Sequence, residues 1–549
     1  MKVQITTHGV PRRPDAPSED AFRVHEGDGR IIAVLADGLG SSKAGGLAAR
    51  RAVDMLVDYY LSRPQAWSPR RALTEFATQI NRVLHEESHA IHGSSELLCT
   101  LSAVALEGGR LYGFNVGDSP VYLWHQDTLR QLSQAHTLSQ PGMNHVLTRA
   151  IGLEPSVEPT PFECDLADGD MVVLCSDGVS NALSTDSLSA LLTRRAAART
   201  IVSAALEAAN ENPELGDDAS AVVLEITQRG WSGAAAPRPL EVLPALRTGE
   251  RVDNYQLVRS LQEGDRVWLA QRDDGERHVL KFPSLEAGTD EVRADAFIRE
   301  LWRAARIDSP DFARATTSSE GSLRYYAMEF VDAPTLREAL KRQSLRVEDT
   351  VELGRFLLRA CQYLIARDLV HGDIKPDNIL VLGDSSSPRF KLIDFGSTAE
   401  VFSVTTRAGT PSYLAPERFH GGALSERTEL FSVGVTLYEA LTRTYPYGEI
   451  ERFQTPRFES QPKPPARLNP AIPPWLETIL LRAITPDAPH RYQHFSEMAY
   501  DLDHPETVTA YTRRDAPLLE RDPLRFYKCL SFALFLTVIV LIGLLLQRK

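Results

Sequence analysis

Two kinds of hydrophobic pattern alternate over residues 1–227. Short apolar runs, such as RIIAVLAD and DMVVLCSD, are separated by Ala- and Leu-rich segments such as AGGLAARRAVDMLVDYYL. Short apolar runs bounded by turn residues indicate strands, and apolar residues spaced three to four apart indicate amphipathic helices. The pattern predicts an α+β domain over residues 1–227.

The pattern changes twice further along the chain. Residues 228–251 mix Gly, Pro and Ala without a sustained period, which is typical of a linker. Strand-like segments and then mainly helical segments follow, and they predict a second domain over residues 252–502. Residues 503–528 are expected to form a polar tether. The chain is therefore a multidomain α+β protein.

The last apolar run covers residues 529–546. As a helix it would extend roughly 27 Å at about 1.5 Å per residue, which is close to the thickness of a bilayer's hydrocarbon core. A buried core helix or an uncleaved interfacial segment is the alternative. The run predicts one transmembrane helix in the cell (inner) membrane. Because the N-terminus has no apolar signal-peptide core, both folded domains are expected to be cytoplasmic.

Composition narrows the class of partner. The 549 residues are 24% charged with a net charge of −13, so the chain has no excess of Lys and Arg to bind the phosphate backbone of a nucleic acid. We expect no nucleic-acid partner. The five cysteines show no C-x-x-C spacing, which favours a reducing compartment.

Acidic residues lie at the ends of several predicted strands in the first domain. Each Asp-Gly or Gly-Asp pair alone is more often just a hairpin turn. Several such pairs together indicate a metal site, because carboxylates gathered at one end of a sheet repel each other unless a cation binds between them. Divalent metal ions, which prefer oxygen ligands, are such cations. The acidic residues are Glu19, Asp20, Asp37, Asp118, Asp177, Asp217 and Asp218.

The order of these motifs resembles the metal-dependent Ser/Thr phosphatases of type 2C. The likeness covers SEDAF, VLADGLGSSKAG, LYGFNVGDSPVYLW, VVLCSDGVSNAL and GDDASAVVLE. It implies an α-β-β-α sandwich that uses two or three Mn²⁺ or Mg²⁺ ions to hydrolyse the phosphate esters of Ser and Thr residues in proteins. The implied metal-site residues are Glu19, Asp20, Asp37, the Gly38 carbonyl, Asp118, Asp177 and Asp217.

Two positions near this predicted site are ambiguous. The Arg that such enzymes carry four residues before the Glu19 position is Asp15 here, with Arg12 and Arg13 close by. Either Arg could hold the substrate phosphate through a shifted loop, or phosphate affinity could be reduced. His136 matches a family position, and both a catalytic and a structural role stay open.

The second domain resembles eukaryotic-like bacterial Ser/Thr protein kinases, which have a two-lobed fold and use Mg²⁺ and ATP. The likeness rests on HVLKF, AMEFV, HGDIKPDN, DFG, GTPSYLAPE and PHRY. It implies Asp373 and Lys375 as catalytic residues, Asn378 and Asp394 as Mg²⁺ ligands, and a brace between Glu417 and Arg491. The implied ATP-binding residues are Lys281, Glu300, Gly264, Glu329 and Val331, and the resemblance also implies that Lys281 pairs with Glu300.

Three departures from the kinase pattern bear on activity. The Gly-rich loop keeps only Gly264, which predicts weaker ATP binding. Gly372 replaces the Arg that clamps a phosphorylated activation loop in many kinases, so we expect no need for phosphorylation at Ser403, Thr405 or Thr406. Glu429 replaces the usual Asp of the helix that follows.

Two functions of different classes follow from these patterns. The first is a membrane-tethered bifunctional enzyme that phosphorylates and dephosphorylates Ser and Thr residues of proteins. The enzyme itself is among the candidate substrates. The second is an active phosphatase fused to a pseudokinase that senses nucleotide or acts as a scaffold. A pair of binding modules is disfavoured, since it would leave intact metal ligands without a function.

Overall fold

A computed structural model gives the fold. It describes residues 2–546 except 14, 28, 41, 43, 139–145, 212–215, 229–237, 263, 318–322, 384–387, 397, 401–408, 452–455, 457, 459–461 and 510–522, with the side chains of residues 90, 400, 523 and 539–546 also outside the description. The chain divides into two compact units, one of Met1–Val331 with Thr398–Val404 and one of Asp332–Ser397 with Thr405–Lys549.

The first domain consists of ten strands and five helices among its described residues. The strands are β1 (Lys2–Val10), β2 (Ala21–Gly27), β3 (Arg30–Ala36), β4 (Leu101–Glu107), β5 (Arg110–Val116), β6 (Val121–His125), β7 (Thr128–Gln131), β8 (Thr160–Asp165), β9 (Met171–Cys175) and β10 (Ala219–Gln228). The helices are α1 (Gly45–Leu61), α2 (Pro69–His92), α3 (Asp177–Ser180), α4 (Thr185–Thr193) and α5 (Ala198–Glu211).

These strands form two antiparallel sheets that pack face to face. One sheet has the order β1, β10, β9, β6, β7 and the other the order β2, β3, β4, β5, β8. Side chains of both sheets, among them Leu35, Val104, Val172 and Leu224, share one buried core. Helices α1 and α2 contact one sheet and α5 contacts the other, which confirms the predicted α-β-β-α sandwich.

The remaining part of the first unit is a six-stranded sheet with one long helix. Its elements are β11 (Arg251–Val252), β12 (Tyr255–Ser260), β13 (Val267–Arg272), β14 (Arg277–Lys281), α6 (Glu291–Ala305), β15 (Ala315–Thr317) and β16 (Tyr326–Glu329). The sheet order is β11, β12, β13, β14, β16, β15. The short strand β20 (Ala399–Glu400) also belongs to this unit.

Part of the predicted linker belongs to this sheet's core. Residues 229–237 of the linker lie outside the described residues. Further along, the Glu241 N–H donates to the Leu323 carbonyl at 2.9 Å, and Leu246 is buried with Tyr255 and Trp268. Apolar side chains within the Pro-rich segment therefore hold its second half against the sheet.

The second unit is mainly helical. It contains α7 (Leu336–Arg342), α8 (Val347–Ile365), β17 (Leu369–Val370), β18 (Ile379–Leu382), β19 (Arg389–Leu392), α9 (Glu426–Thr442), α10 (Pro465–Leu468), α11 (Pro474–Ala483), α12 (Phe495–Asp503) and α13 (Pro523–Leu546). Helix α9 is buried along nearly its whole length and contacts α8 and α11. It is the central element of this unit.

Helix α13 contains the predicted membrane span. Across the part of the chain that the structure describes, no helix is both long enough and apolar enough to cross a membrane. The described residues therefore do not support the predicted transmembrane helix. The side chains of its last residues, 539–546, lie outside those described.

Candidate active sites

The acidic strand ends of the first domain meet in one cleft. Asp37 follows β3, Asp118 follows β5, Asp177 begins α3 after β9, and Asp217 precedes β10. These four residues line a cleft of about 460 Å³ together with Glu19, Gly38 and Asp218. The fold thus brings together carboxylates that are up to 199 positions apart in the chain.

Close backbone packing fixes the shape of this cleft. A Cβ on Gly38 would lie 2.4 Å from the carbonyl carbon of Gly45 at the start of α1. A Cβ on Gly178 would lie 2.1 Å from the Asp218 carbonyl oxygen. Both distances are well below van der Waals contact, so only glycine fits at these two positions.

The cleft concentrates negative charge away from water. Burial, and then repulsion from Asp20, Asp177 and other carboxylates, holds the pKa of Asp37 well above its usual range. Burial, followed by repulsion from Asp217 and Asp118, raises the pKa of Asp177 to about 6. Burial also raises the pKa of Asp118.

Asp20 lies close enough to Asp37 to repel its charge, and the Asp20 carboxylate has no hydrogen-bond partner among the described residues. The residue is only 7% exposed, and neither carboxylate oxygen accepts a hydrogen bond from that part of the chain. Burial raises the pKa of Asp20 to about 7, and the nearby hydroxyls of Ser220 and Ser176 counter only part of that rise. A buried carboxylate without a partner is costly, which is the condition that a cation or its water shell relieves.

The N-terminal segment is attached to the cleft by Asp218. This carboxylate accepts hydrogen bonds from the Arg12 N–H at 2.6 Å, the Glu19 N–H at 2.6 Å and the Ser18 hydroxyl at 2.9 Å. Sequence reasoning gave Asp218 no role. The only signal for it was the second Asp of the pair before β10, whose partners lie about 200 residues away along the chain.

His136 has a structural position. Its Nδ1 accepts a hydrogen bond from the Gly117 N–H at 3.1 Å, and its Nε2 is 2.8 Å from the Thr160 hydroxyl. Because Nδ1 accepts, the neutral ring carries its proton on Nε2 and donates it to Thr160. Burial lowers the pKa of His136. Both ring nitrogens are thus used in hydrogen bonds, one to the residue before Asp118 and the other to the first residue of β8.

The six-stranded sheet presents a Lys–Glu ion pair. Lys281 on β14 contacts Glu300 on α6 at 2.5 Å, and the Tyr326 hydroxyl donates to the same Glu300 oxygen at 2.6 Å. Gly264 has φ +91, and a Cβ placed on it would meet no described atom within 4 Å. Glu329 ends β16 opposite His278, and Val331 follows two residues later.

The second unit brings its predicted catalytic residues into hydrogen-bond contact. Lys375 Nζ donates to Asp373 Oδ2 and to the Thr410 hydroxyl, each at 2.6 Å. Asp373 Oδ1 accepts from the Thr410 N–H at 2.9 Å, and Asn378 Nδ2 donates to the Asp373 carbonyl at 2.8 Å. Asp394, at φ 69, accepts from the Gly396 N–H at 3.0 Å.

Glu429 supports this catalytic segment from α9. It is 2% exposed, and its two oxygens accept the N–H groups of His371 and Gly372, each at 3.1 Å. Burial raises the pKa of Glu429 to about 7, although the Gly372 and His371 N–H groups partly lower it. The longer Glu therefore reaches the backbone directly before Asp373.

The predicted brace between Arg491 and Glu417 is confirmed. Arg491 has no exposed side-chain surface and forms two 2.7 Å contacts with the Glu417 carboxylate. It also donates to the carbonyls of Thr485, Pro486 and Arg427. The guanidinium thus joins the segments of Glu417 and Arg427 to the turn that precedes Arg491.

Comparison with known proteins assigns a family to each part. Residues 11–211 match the family described as Protein phosphatase 2C, and residues 263–496 match the family described as Protein kinase domain. The chain carries both domains. The six-stranded sheet and the mainly helical unit are therefore parts of the kinase domain.

Individual relatives match only part of the chain. A probable serine/threonine-protein kinase, PknB of Lactococcus lactis, is 28% identical over 275 residues, 48% of this chain and 43% of the relative. Bacillus subtilis PrkC is 27% identical over 267 residues, 46% of this chain and 41% of the relative. The chain spans less than half the length of these curated relatives. A solved serine/threonine phosphatase of S. agalactiae is 21% identical with a TM-score of 0.37, covering 41% of this chain and 100% of that one.

The phosphatase cleft fits divalent metals by its chemistry. Its donors are carboxylates and a carbonyl, the hard oxygen ligands that Mg²⁺ and Mn²⁺ prefer. Among the described residues, no group of three acidic, His or Cys side chains is arranged so that it could hold a metal ion. Asp37, Asp177 and Asp217 with the Gly38 carbonyl would hold the ions, while Asp20 and Glu19 would bind their water shell.

Proposed function

We propose that the protein is a bifunctional enzyme, with a metal-dependent Ser/Thr phosphatase activity in its first domain and an ATP-dependent Ser/Thr kinase activity in its second. The observation that carries this proposal is that each domain brings its predicted charged site residues together. The phosphatase cleft gathers its carboxylates, and the kinase domain retains the contacts of Lys281 with Glu300 and of Asp373 with Lys375.

In the phosphatase domain, the chain's own groups position water and phosphate. Bound Mn²⁺ or Mg²⁺ would supply an acidified water and charge neutralisation for an in-line displacement at phosphorus. Asp37 and Asp177 would fix the ions, and the buried carboxylate of Asp20, unpartnered among the described residues, would orient their water shell. Arg50 donates to the Ser18 carbonyl at 3.3 Å, beside Glu19, and is a further candidate besides Arg12 and Arg13 for holding the substrate phosphate.

In the kinase domain, Asp373 would receive the proton of a substrate Ser or Thr hydroxyl. One oxygen of Asp373 is fixed by the Thr410 N–H and the other by Lys375, so the carboxylate has a defined orientation. Lys375 would stabilise the negative charge on the transferring phosphoryl group. Asn378 and Asp394 would hold Mg²⁺, and Lys281 would bind the nucleotide phosphates.

A labelled-ATP assay on the full-length protein tests this proposal. Wild type, Asp394→Ala, Asp177→Ala and the double variant would be incubated with ATP and Mg²⁺, and phosphatase turnover would be followed on p-nitrophenyl phosphate. Bifunctionality predicts no label in Asp394→Ala, excess label in Asp177→Ala and none in the double variant. Equal labelling of all four proteins would refute it.

The degenerate Gly-rich loop, in which only Gly264 remains, favours the pseudokinase alternative. That alternative predicts phosphatase turnover in wild type and Asp394→Ala, with no label in any variant. Nucleotide binding without transfer would then assign the kinase domain a sensing or scaffolding function. The same assay therefore separates the two functions.

We further propose that α13 anchors the protein at the cell membrane, with both enzymatic domains on the cytoplasmic side. Support comes from its surface: Phe532, Leu534 and Phe535 are 59–64% exposed on a helix that has no apolar surface covering them among the described residues. Fractionation of the full-length protein tests this, with Leu534→Arg expected to shift it from the membrane to the soluble fraction. An unchanged soluble distribution of both proteins would contradict the anchor.

A further inference from the structure

Helix α6 of the kinase domain lies against the phosphatase domain. Trp302 on α6 is 2% exposed, and its ring lies 5.4 Å from that of Tyr59 on α1 and 5.1 Å from that of Phe76 on α2. Its indole N–H donates to the Ser62 hydroxyl at 3.2 Å. A large aromatic side chain of the kinase is thus buried among phosphatase helices.

Charged groups surround this aromatic contact. Asp295 on α6 accepts from Arg71 at 2.6 Å and from the Trp67 indole at 3.1 Å, both in the phosphatase domain. Arg299, one turn further along α6, donates to Glu75 of the phosphatase at 2.7 Å and also to Asp295. Shielded charge pairs with several hydrogen bonds fix orientation more strongly than exposed ones.

The opposite side of α6 carries the nucleotide-site ion pair. Phe297 packs against Tyr326 with ring centroids 5.7 Å apart, and Glu300 contacts Lys281 at 2.5 Å. Residues 295, 299 and 302 are spaced at helical intervals and face the phosphatase, whereas residues 297 and 300 face the kinase sheet. One rigid helix therefore links the docked surface to the Lys–Glu pair.

We propose that the phosphatase domain serves as a built-in positioning partner of the kinase, holding α6 so that Glu300 stays paired with Lys281. This inference rests on the proposed kinase activity. It assigns the phosphatase fold a role that does not depend on phosphatase chemistry. A kinase with a reduced Gly-rich loop has fewer contacts to fix its nucleotide, which makes a fixed α6 more important.

The test compares two neighbouring arginines of α2 in the full-length protein. Arg71→Glu places a carboxylate against Asp295 and should loosen α6. Arg70→Glu makes the same charge change at a side chain that is 56% exposed and whose ion pair with Glu163, at 3.9 Å, lies within the phosphatase domain. Arg71→Lys keeps the charge and serves as the conservative variant.

Kinase kinetics and amide hydrogen exchange provide the readouts. In Arg71→Glu we expect about a ten-fold or larger fall in kinase kcat/KM, with a raised KM for ATP and faster exchange over residues 291–305. Arg70→Glu and Arg71→Lys should stay within about two-fold of wild type. Turnover of p-nitrophenyl phosphate should be the same in all four proteins, which shows that the phosphatase domain remains folded.

Each other outcome is decisive. Unchanged exchange in Arg71→Glu would overturn the docking, and faster exchange with unchanged kinase kcat/KM would overturn the positioning role. If wild type incorporated no label at all, the proposed kinase activity would fail. The exchange comparison would then still decide whether the phosphatase holds α6.

Discussion

Removing the guanidinium of Arg491 should destabilise the second unit of the kinase domain more than removing any exposed ion pair there. Arg491→Met keeps the length of the side chain but leaves the Glu417 carboxylate and three carbonyl oxygens without their donor. Breaking a buried pair on one side costs about 3–5 kcal/mol. Because the Glu417 side chain is 28% exposed and can regain water, we expect a value near 3 kcal/mol, in the lower part of that range.

A matched control separates this buried network from the loss of one charge. Arg355 belongs to the same unit, is 39% exposed and pairs with Glu352 and Asp503 at the surface. Arg355→Met should cost less than about 1 kcal/mol. Urea-dependent amide exchange of α9 in the full-length protein measures both changes in the local free energy of unfolding.

The double variant Glu417→Gln/Arg491→Met provides a further comparison. Since it no longer leaves a charged group unpaired, it should recover part of the loss seen in Arg491→Met. If Arg491→Met cost no more than Arg355→Met, the brace would contribute nothing beyond an exposed pair. The reasoning from burial and hydrogen bonds would then be refuted.

Three further predictions concern the two sites. Mn²⁺ should raise the thermal midpoint of the phosphatase domain in differential scanning calorimetry, because a ligand that binds only the folded state stabilises that state. EDTA should reverse the rise, and Asp177→Asn should lose most of the rise that Mn²⁺ causes. Gly178→Ala should lower phosphatase turnover at least about ten-fold while kinase labelling is retained, because the new Cβ would lie 2.1 Å from the Asp218 carbonyl oxygen. Phosphatase turnover equal to that of wild type would contradict the close packing at Gly178. Burial raises the pKa of Glu429 from 4.5 to about 7, so the folded protein binds more protons than the unfolded one in that window and stability should fall as pH rises through it. Urea titrations between pH 5 and about 7.5 should show a flatter pH dependence in Glu429→Gln than in wild type.

Much of the fold and of both candidate sites could be predicted from local sequence. The strands before Asp37 and Asp177 are apolar runs followed by turn residues, and the sandwich built from them is confirmed. The pair of Glu417 with Arg491 and that of Lys281 with Glu300 also form as expected. The roles of the metal- and nucleotide-site residues stay predictions.

Other contacts could not be predicted, because they depend on surfaces that meet only after folding. His136 was ambiguous until Gly117 and Thr160 were seen to occupy both of its ring nitrogens. Asp218 looked like a second acidic residue before a strand, yet it binds the segment that carries Glu19. The described residues also do not support the predicted membrane span.

The kinds of chemistry open to this protein follow from its sequence, since acidic strand ends and kinase motifs are local patterns whose residue types suit metal ions and nucleotide. The way in which those groups are held follows from tertiary packing. Trp302 and Asp295 give no local signal of an interface, and their partners Phe76 and Arg71 lie more than 200 positions earlier (302 − 76 = 226; 295 − 71 = 224). Packing between elements so distant in the chain depends on shape and burial, which a local pattern does not encode.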